Sequence, residues 1–250
     1  MKEDWNDLLP GIAPTRSVLV FDNRGMGQSS VPDGKYTMDE FVNDTNTLVK
    51  HVYPQHNKVH LMGISMGGMI VQCYITTHPS HVQSLIIGCS HSAARAAIMT
   101  PDKNGFVNAM SNTQPPKTKD DVIKIVTAVQ RFQYTDDWIR QNPAKFQQAV
   151  TNSMKYKRSL RGQQGQFGAI SKYDVRDKLS SINTPTLVIH GSGDQVIDCR
   201  NGEVLHQNIK DSELLVLKDV GHIFWNMDNG QAMKRINEFI SKHDPKQSRL

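Results

Sequence analysis

Residues 61–70 read Leu61-Met62-Gly63-Ile64-Ser65-Met66-Gly67-Gly68-Met69-Ile70, and the fold is predicted outward from this stretch. An apolar, β-favouring run leads into it from Val59, and a helix-compatible run continues from it to Ile75. A strand, a sharp Gly-x-Ser-x-Gly turn and a helix are the layout of a nucleophile elbow, whose serine sits at the tip of a strained turn. Because bulk is excluded two positions before and after that serine, Gly63 and Gly67 are predicted to be sterically required.

The helix predicted after Ser65 also offers a place for negative charge. Backbone N–H groups in the first turn of a helix have no intrahelical partner and point at any charge that forms in front of them. Met66 N–H is therefore the predicted oxyanion donor. The alternative is a glycine-rich turn in which Ser65 only caps the helix, and the pentapeptide alone does not decide between the two.

The rest of the chain alternates strand-like and helical patterns, and it is predicted to have an α/β fold. Helical patterns separate the apolar runs, an order typical of a parallel sheet with right-handed crossovers and helices on both faces. Five apolar runs are predicted as strands, at residues 17–22, 58–64, 85–89, 185–191 and 214–217.

The alternation lapses between residues 92 and 176. Helical composition at 120–131, 136–156 and 161–173 follows a loop marked by Pro115-Pro116. A helical insertion this long between two strands predicts a cap over one end of the sheet, because lids are drawn from such insertions. The alternative is that these helices only add to the packing of the domain and do not form a cap. A chain of 250 residues is otherwise predicted to form a single domain.

Composition argues against several classes of function. The net charge is +5, but Lys and Arg are spread without a stripe or a reader motif, so nucleic-acid binding is not predicted. No run of 18 apolar residues and no apolar segment near the start is present, so neither a membrane span nor a secretory signal is predicted. The densest basic patch, Lys155, Lys157, Arg158 and Arg161, is predicted as a solvated helix face, with attraction of an acidic substrate as the alternative.

Two features bear on the location of the protein. Cys73, Cys89 and Cys199 are widely spaced and form no C-x-x-C pair, so they are predicted to be buried thiols in a reducing compartment. The ending Ser248-Arg249-Leu250 is a conservative variant of the Ser-Lys-Leu peroxisomal address. A cytoplasmic or peroxisomal location is therefore predicted.

Three residues form a candidate catalytic set. A serine hydroxyl is a poor nucleophile at neutral pH, so it needs a base beside it and a carboxylate that fixes the tautomer of that base. The chain offers Ser65, Asp194 and His222 in this order, each in a loop after a predicted strand. That order is expected when the nucleophile follows a mid-sheet strand and its partners follow later ones.

Each partner also has a structural alternative. Asp194 follows a glycine and is a possible turn residue, and His222 lies close to Phe224 and Trp225 and is a possible packing residue. His190 is predicted to be a buried strand-end residue. No His, Asp or Glu cluster has metal-ligand spacing and no strand is followed by G-x-G-x-x-G, so no cofactor is predicted.

Taken together, these motifs resemble the α/β-hydrolase superfamily. The resemblance is closest to its capped subgroup, which includes serine esterases, enol-lactonases and proline iminopeptidase-like enzymes, and it covers nearly the whole chain. Serine at position 65 argues against the dehalogenase and epoxide-hydrolase relatives, which use aspartate there. The stretches that carry the resemblance are Phe21-Asp22-Asn23-Arg24-Gly25-Met26-Gly27-Gln28-Ser29, residues 63–69, residues 190–194 and Gly221-His222.

The resemblance implies roles and a reaction. Ser65 would be the nucleophile, His222 the base, Asp194 the acid that orients it, and Met66 N–H an oxyanion donor. The implied activity is hydrolysis of a small carboxylic ester or lactone through an acyl-enzyme, with proline iminopeptidase-like amide hydrolysis as a further alternative.

One departure from the family is expected to matter. Family members carry a strand that ends in His-Gly, whose next residue supplies the second oxyanion N–H, and then a helix with a Trp that Trp5 matches. That strand lies between those predicted at 17–22 and 58–64, so the sheet is expected to be N-terminally truncated. Either these two strands pair directly, or the chain is a truncated form of a longer protein. A catalytically impaired pseudoenzyme or binding protein is therefore an alternative function.

Overall fold

The central element is a four-stranded parallel sheet. The computed structural model describes residues 1–12, 14, 16–102, 105–111, 117–155 and 159–245. Within them, all neighbouring strands are parallel and the strand order follows the chain. The predicted α/β architecture is confirmed. The strands are β1 (Val59–Ile64), β2 (Val82–Gly88), β3 (Thr186–Gly191) and β4 (Glu213–Leu217).

The strand predicted at 17–22 is not present. These residues carry no strand assignment, and β1 pairs with β2 alone among the described strands. Direct pairing of 17–22 with β1, one of the two sequence expectations, is therefore wrong as well. An apolar run becomes a strand only when a neighbour takes up its N–H and C=O groups, and no described strand does so here.

The helices mostly fall where the sequence predicts them. The predicted 136–156 helix is divided before Pro143, because proline has no N–H for a helix interior. The helix predicted at 3–9 is replaced by a 3₁₀ turn at Lys2–Trp5 and one short helix. The α-helices are α1 (Leu9–Ile12), α2 (Met38–Val52), α3 (Met66–Thr77), α4 (Gly105–Ser111), α5 (Lys119–Arg131), α6 (Asp136–Gln141), α7 (Pro143–Met154), α8 (Leu160–Ile170), α9 (Arg200–Asn208) and α10 (Gln231–Lys242).

Helices cover both faces of the sheet. Side chains alternate along a strand, so Ile87 packs with α2, α3 and α9 on one face while its neighbour Ile86 packs with α10 on the other. Phe41 and Tyr74 are fully buried on the first face, and Phe239 is buried on the second. Two apolar cores therefore hold the sheet in place, and the loops at the carboxyl ends of the strands are fixed by both.

Helices α4 to α8 lie in the helical segment 92–176, between β2 and β3. The two ends of this segment meet in an isolated antiparallel bridge between Ala93 and Asp174. Phe146 and Val150 of α7 pack in the same core as strand residues of the sheet. The segment therefore begins and ends at one place beside the sheet and packs against it.

Several sequence predictions concern single residues. Cys73 and Cys89 are buried, whereas Cys199 is only half-buried, so the prediction of three buried thiols is wrong for Cys199, and all three are free. Ser248-Arg249-Leu250, Pro115-Pro116, Lys157 and Arg158 lie outside the described residues. None of the helices in the described ranges has the length and hydropathy needed to cross a membrane.

Candidate active site

The turn between β1 and α3 holds Ser65 in a strained conformation. Its φ of 57° and ψ of −122° lie in a region that side chains with a Cβ seldom adopt. The neighbouring strand holds the turn in place, because Ser65 N–H donates to the Gly88 carbonyl at 2.8 Å. Ser90 Oγ donates to the Ser65 carbonyl at 2.9 Å. The predicted elbow geometry is therefore present.

The glycines around Ser65 differ from the prediction. A Cβ on Gly63 would lie 2.1 Å from the Gly67 carbonyl oxygen, so Gly63 is sterically required, as predicted. A Cβ on Gly67 would have no atom within 4 Å, so the prediction for Gly67 is wrong. The second close approach is at Gly68, where a Cβ would lie 2.6 Å from Ser90 Cβ. The two glycines differ because Gly67 faces an open cavity, which is described below, while Gly68 packs against Ile87 of β2 and against Ser90.

Asp194 and His222 are brought together at the ends of β3 and β4. His222 Nδ1 lies 2.7 Å from Asp194 Oδ2, and both side chains are buried. The two loops approach closely, since a Cβ on Gly191 would lie 2.2 Å from the Val220 carbonyl oxygen. A carboxylate only accepts hydrogen bonds, so Nδ1 of His222 carries the proton and Nε2 is free to act as a base.

The carboxylate of Asp194 is held as an anion. Its Oδ1 accepts hydrogen bonds from Val196 N–H at 2.8 Å and Ile197 N–H at 2.9 Å. Burial opposes the charge, but attraction by His222 and a hydrogen bond from His190 outweigh it, and the pKa of Asp194 lies well below its usual value. Asp194 therefore has both of the roles considered from sequence: it stabilises its own turn, and it pairs with His222.

One cavity of about 620 Å³ joins the candidate residues. Ser65, Met66 and His222 all line it. Among the hydrogen bonds of the described residues, none links Ser65 Oγ to His222. Such pairs are often long in free enzymes and tighten only when substrate binds. Met66 opens α3, so its N–H lies at the helix end that has no intrahelical partner.

Two further parts of the chain line the cavity: the N-terminal residues, which sequence reasoning did not assign to the site, and the segment 92–176, which it predicted as a cap without naming the side chains involved. The N-terminal residues contribute Trp5 and the carboxylates of Glu3 and Asp7. Phe106 and Phe167 come from the helical segment 92–176. Their spacing carries no motif, so only the three-dimensional arrangement reveals them.

Asp22 attaches the N-terminal residues to the rest of the protein. Its buried carboxylate accepts hydrogen bonds from Lys2 N–H at 2.8 Å, Gln28 N–H at 3.0 Å and Lys2 Nζ at 3.1 Å. Burial opposes the charge, but these donors together lower the pKa of Asp22. A Cβ on Gly27 would lie 2.3 Å from Asp22 Oδ2, so glycine is needed beside it. The Asp-Asn-Arg-Gly stretch thus supports one wall of the cavity.

A second cluster lies behind Asp194. The ligand-type atoms of Cys89, His190 and Asp194 lie within 4.8 Å of one another, and all three residues are buried. The sequence prediction of no metal-ligand spacing missed this group because Cys89 follows β2, far along the chain from His190 and Asp194. Cys89 and His190 both lie close to the Asp194 carboxylate, whereas His190 Nδ1 is buried without a hydrogen-bond partner among the described residues.

Comparison with known proteins identifies relatives over most of the chain. The profile of the alpha/beta hydrolase fold family matches residues 1–225. A proline iminopeptidase of Thermoplasma volcanium is 26% identical over 255 residues, covering 91% of this chain and 80% of that one. The 3-oxoadipate enol-lactonase 2 of Acinetobacter baylyi is 28% identical over 238 residues, covering 95% of this chain and 83% of that one.

Solved structures agree on the fold. The enol-lactonase from Burkholderia xenovorans LB400 superposes with a TM-score of 0.77 at 23% identity, covering 96% of this chain and 86% of that one. A hydrolase from Pseudomonas aeruginosa PA01 gives a TM-score of 0.78 at 22% identity, with 96% and 85% covered. At this identity the likeness concerns the fold alone.

Proposed function

The chain belongs to the alpha/beta hydrolase fold family, and we therefore propose that it is a serine hydrolase that cleaves a small carboxylic ester or lactone through an acyl-enzyme. One observation carries the proposal. The hydrogen-bonded pair of His222 and Asp194 lies beside the same cavity as Ser65, which sits on a strained turn. A nucleophile, a base and an orienting carboxylate are the parts that acyl transfer needs.

In the proposed reaction, Ser65 Oγ attacks the substrate carbonyl while His222 Nε2 takes the hydroxyl proton. Asp194 stabilises the imidazolium and holds its tautomer. The tetrahedral intermediate collapses as the imidazolium gives its proton to the leaving oxygen, which departs as an alcohol. Water, deprotonated by the same imidazole, then releases the acid and restores Ser65.

Met66 N–H is the proposed donor to the oxyanion. It stands at the N-terminus of a 12-residue helix, where backbone dipoles favour negative charge. Loss of one oxyanion donor costs about 100- to 1,000-fold in kcat. An oxyanion that meets Met66 N–H without a second donor would therefore form slowly, and an impaired pseudoenzyme that binds without turnover is the alternative function.

The helical segment 92–176 is proposed to act as the cap of the site. Phe106 of α4, Gln130 of α5 and Phe167 of α8 line the cavity that contains Ser65. An apolar wall opposite the nucleophile would exclude bulk water and contact the acyl or alcohol group of the substrate.

Labelling with a fluorophosphonate probe, together with hydrolysis of short-chain p-nitrophenyl esters and lactones, tests the proposal. Wild-type protein is expected to be labelled and active, and Ser65→Ala to lose both properties. Ser153→Ala is the matched control, because Ser153 lines the same cavity from α7, away from the His222 pair. Full esterase activity of Ser65→Ala would exclude the serine mechanism. Wild-type protein without labelling or turnover would favour the pseudoenzyme.

A second candidate function is proline iminopeptidase-like amide hydrolysis. Glu3 and Asp7 line the cavity. Glu3 Oε1 is paired with Lys2 Nζ at 2.9 Å, and Oε2 is buried without a hydrogen-bond partner among the described residues. A carboxylate in this position would attract the ammonium group of an N-terminal residue. Faster cleavage of prolyl p-nitroanilide than of its N-acetylated form, abolished by Glu3→Gln, would select this function over ester hydrolysis.

A further inference from the structure

Three side chains surround the carboxylate of Asp194. Oδ2 lies 2.7 Å from His222 Nδ1 and 3.2 Å from His190 Nε2, and Cys89 Sγ lies within 4.8 Å of the same carboxylate. His222 follows β4, while His190 belongs to β3 and Cys89 follows β2. Side chains from three neighbouring strand ends thus surround the carboxylate, and the proposed mechanism uses only one of them.

His190 can act only as a donor to this site. Its Nε2 lies 2.9 Å from the Ile197 carbonyl oxygen, which accepts but never donates, so Nε2 carries the proton. Nε2 also lies 3.2 Å from Asp194 Oδ2, so the positive end of its N–H bond is close to the carboxylate. Helix α9 packs against the other side of the ring, where a Cβ on Gly202 would lie 2.9 Å from His190 Nδ1. The fully buried imidazole therefore has little freedom to turn away.

Cys89 is held in an unfavourable backbone conformation that keeps its thiol at the carboxylate. Its φ is 43°, in the left-handed region, although it is not a glycine. Its N–H donates to the Ile189 carbonyl at 2.9 Å, which ties the residue to the end of β3. Burial raises the pKa of the Cys89 thiol well above its usual value, so the thiol keeps its proton and acts as a donor.

We infer that His190 and Cys89 are positioning residues that hold Asp194 in the orientation His222 needs for proton transfer. The inference rests on the proposed function. A carboxylate bonded by His222 alone could rotate about its side chain, and the imidazole would then lose the bond that fixes its tautomer. Neither His190 nor Cys89 lines the cavity, so substrate binding does not involve them directly.

If His190 and Cys89 have this role, their substitution should lower kcat and leave KM unchanged. His190→Leu removes the donor and is expected to lower kcat about 10- to 100-fold with KM unchanged, as is typical when the support of a catalytic ligand is lost. His190→Gln, whose amide N–H₂ reaches the position of Nε2, is expected to recover part of the rate. Cys89→Ala is expected to lower kcat by a smaller factor, and Cys89→Ser, which keeps an O–H donor, to restore most of it.

Thr186→Val is the matched control for structural damage. Thr186 is buried in the same strand as His190, and its hydroxyl bonds the Thr184 carbonyl at 2.8 Å, away from Asp194. Thr186→Val is expected to lower the melting temperature while kcat stays within about twofold of the wild type, because a lost hydrogen bond at this distance affects only stability.

A measurement that needs no turnover completes the test. The proton between His222 Nδ1 and Asp194 should give a low-field ¹H NMR resonance in the wild type. This resonance is expected to move or broaden in His190→Leu and Cys89→Ala, and to stay unchanged in Thr186→Val. Folded His190→Leu with wild-type kcat and an unmoved resonance would overturn the inference.

The design separates failure of the inference from failure of the proposed function. If wild-type protein shows neither turnover nor fluorophosphonate labelling, the proposed function fails and the resonance alone decides whether His190 and Cys89 orient the pair. If His190→Leu does not fold, the comparison of Cys89→Ala with Cys89→Ser decides. Equal rates and equal resonances in those two variants would overturn the role of the thiol donor.

Discussion

A Cβ atom on Gly162 would lie 1.9 Å from the carbonyl oxygen of Gly25, so two backbones meet there with no side chain between them. Gly162 belongs to α8 of the helical segment 92–176, and Gly25 follows residues 17–22 with a φ of +81°. Gln166 of the same helix donates to the Arg24 carbonyl at 3.4 Å. This contact fixes how closely α8 approaches the loop that contains Arg24 and Gly25.

The first prediction follows from that contact. Gly162→Ala is expected to push α8 away from the loop, to destabilise the fold by about 1 to 3 kcal/mol and to raise KM, because Phe167 of α8 lines the cavity. Gly168→Ala is the control, since a Cβ there meets nothing within 4 Å. It is expected to stabilise the helix by up to about 1 kcal/mol. Urea unfolding and steady-state kinetics measure both effects, and equal behaviour of the two variants would contradict the prediction.

The second prediction concerns the elbow. Gly63→Ala places a methyl group 2.1 Å from the backbone oxygen of Gly67, so the variant is expected to misfold or to lose fluorophosphonate labelling of Ser65. Gly67→Ala meets open space and is expected to fold with equal or greater stability, by up to about 1 kcal/mol, because alanine favours helix α3. Labelling rate and circular dichroism separate the two. A Gly67→Ala variant as unstable as Gly63→Ala would refute the steric argument.

The third prediction concerns His91, whose pKa burial lowers to about 4. Between pH 6.5 and 4 the unfolded chain binds a proton at this residue and the folded protein does not, so stability falls as the pH falls through this range. The loss attributable to His91 is about 3 kcal/mol over the whole interval. His91→Phe, which keeps an aromatic ring against Tyr173, is expected to remove this part of the pH dependence.

Urea unfolding at pH 7.0, 5.5 and 4.5 tests the His91 prediction. The wild type and His56→Gln, a change at an exposed histidine, are expected to lose stability more steeply than His91→Phe. Parallel curves for the wild type and His91→Phe would show that His91 does not contribute to the acid sensitivity.

The fourth prediction concerns the wall that Asp22 supports. Asp22→Ala removes the acceptor of the Lys2 and Gln28 N–H groups and is expected to cost about 1 to 3 kcal/mol in unfolding free energy. KM is expected to rise, because Glu3 and Trp5 line the cavity. Asp211→Asn, at an exposed turn, is the control and is expected to change neither quantity. Unchanged KM in Asp22→Ala would show that the wall does not contact substrate.

The sequence predicts the parts of this fold that depend on local patterns. The run before Ser65, the glycine turn and the helix after it are contiguous in the chain, so their structure can be recognised from residue order. Residues 17–22 show the limit of such patterns. Their composition favours a strand, but strand formation depends on a neighbour that lies elsewhere in the chain.

The candidate site, too, can be predicted from the sequence only in part. Ser65, Asp194 and His222 are recognisable because each follows a predicted strand in a known order. The contact of Cys89 with Asp194 is not recognisable, because it depends on the packing of β2 against β3 at a single turn. Gly67 is a smaller error of the same kind. The motif includes this glycine, but the sequence does not reveal that the close packing lies at Gly68 instead.

The strained backbone at Ser65 implies that the side chain of the proposed nucleophile lowers the stability of the protein. Glycine adopts a φ of 57° without steric cost, whereas serine pays about 1 to 3 kcal/mol to do so. A library screened for heat tolerance alone would therefore be expected to favour Ser65→Gly, which lacks the proposed nucleophile. Under the proposed function, selection for turnover would act in the opposite direction and keep a hydroxyl at the tip of this turn.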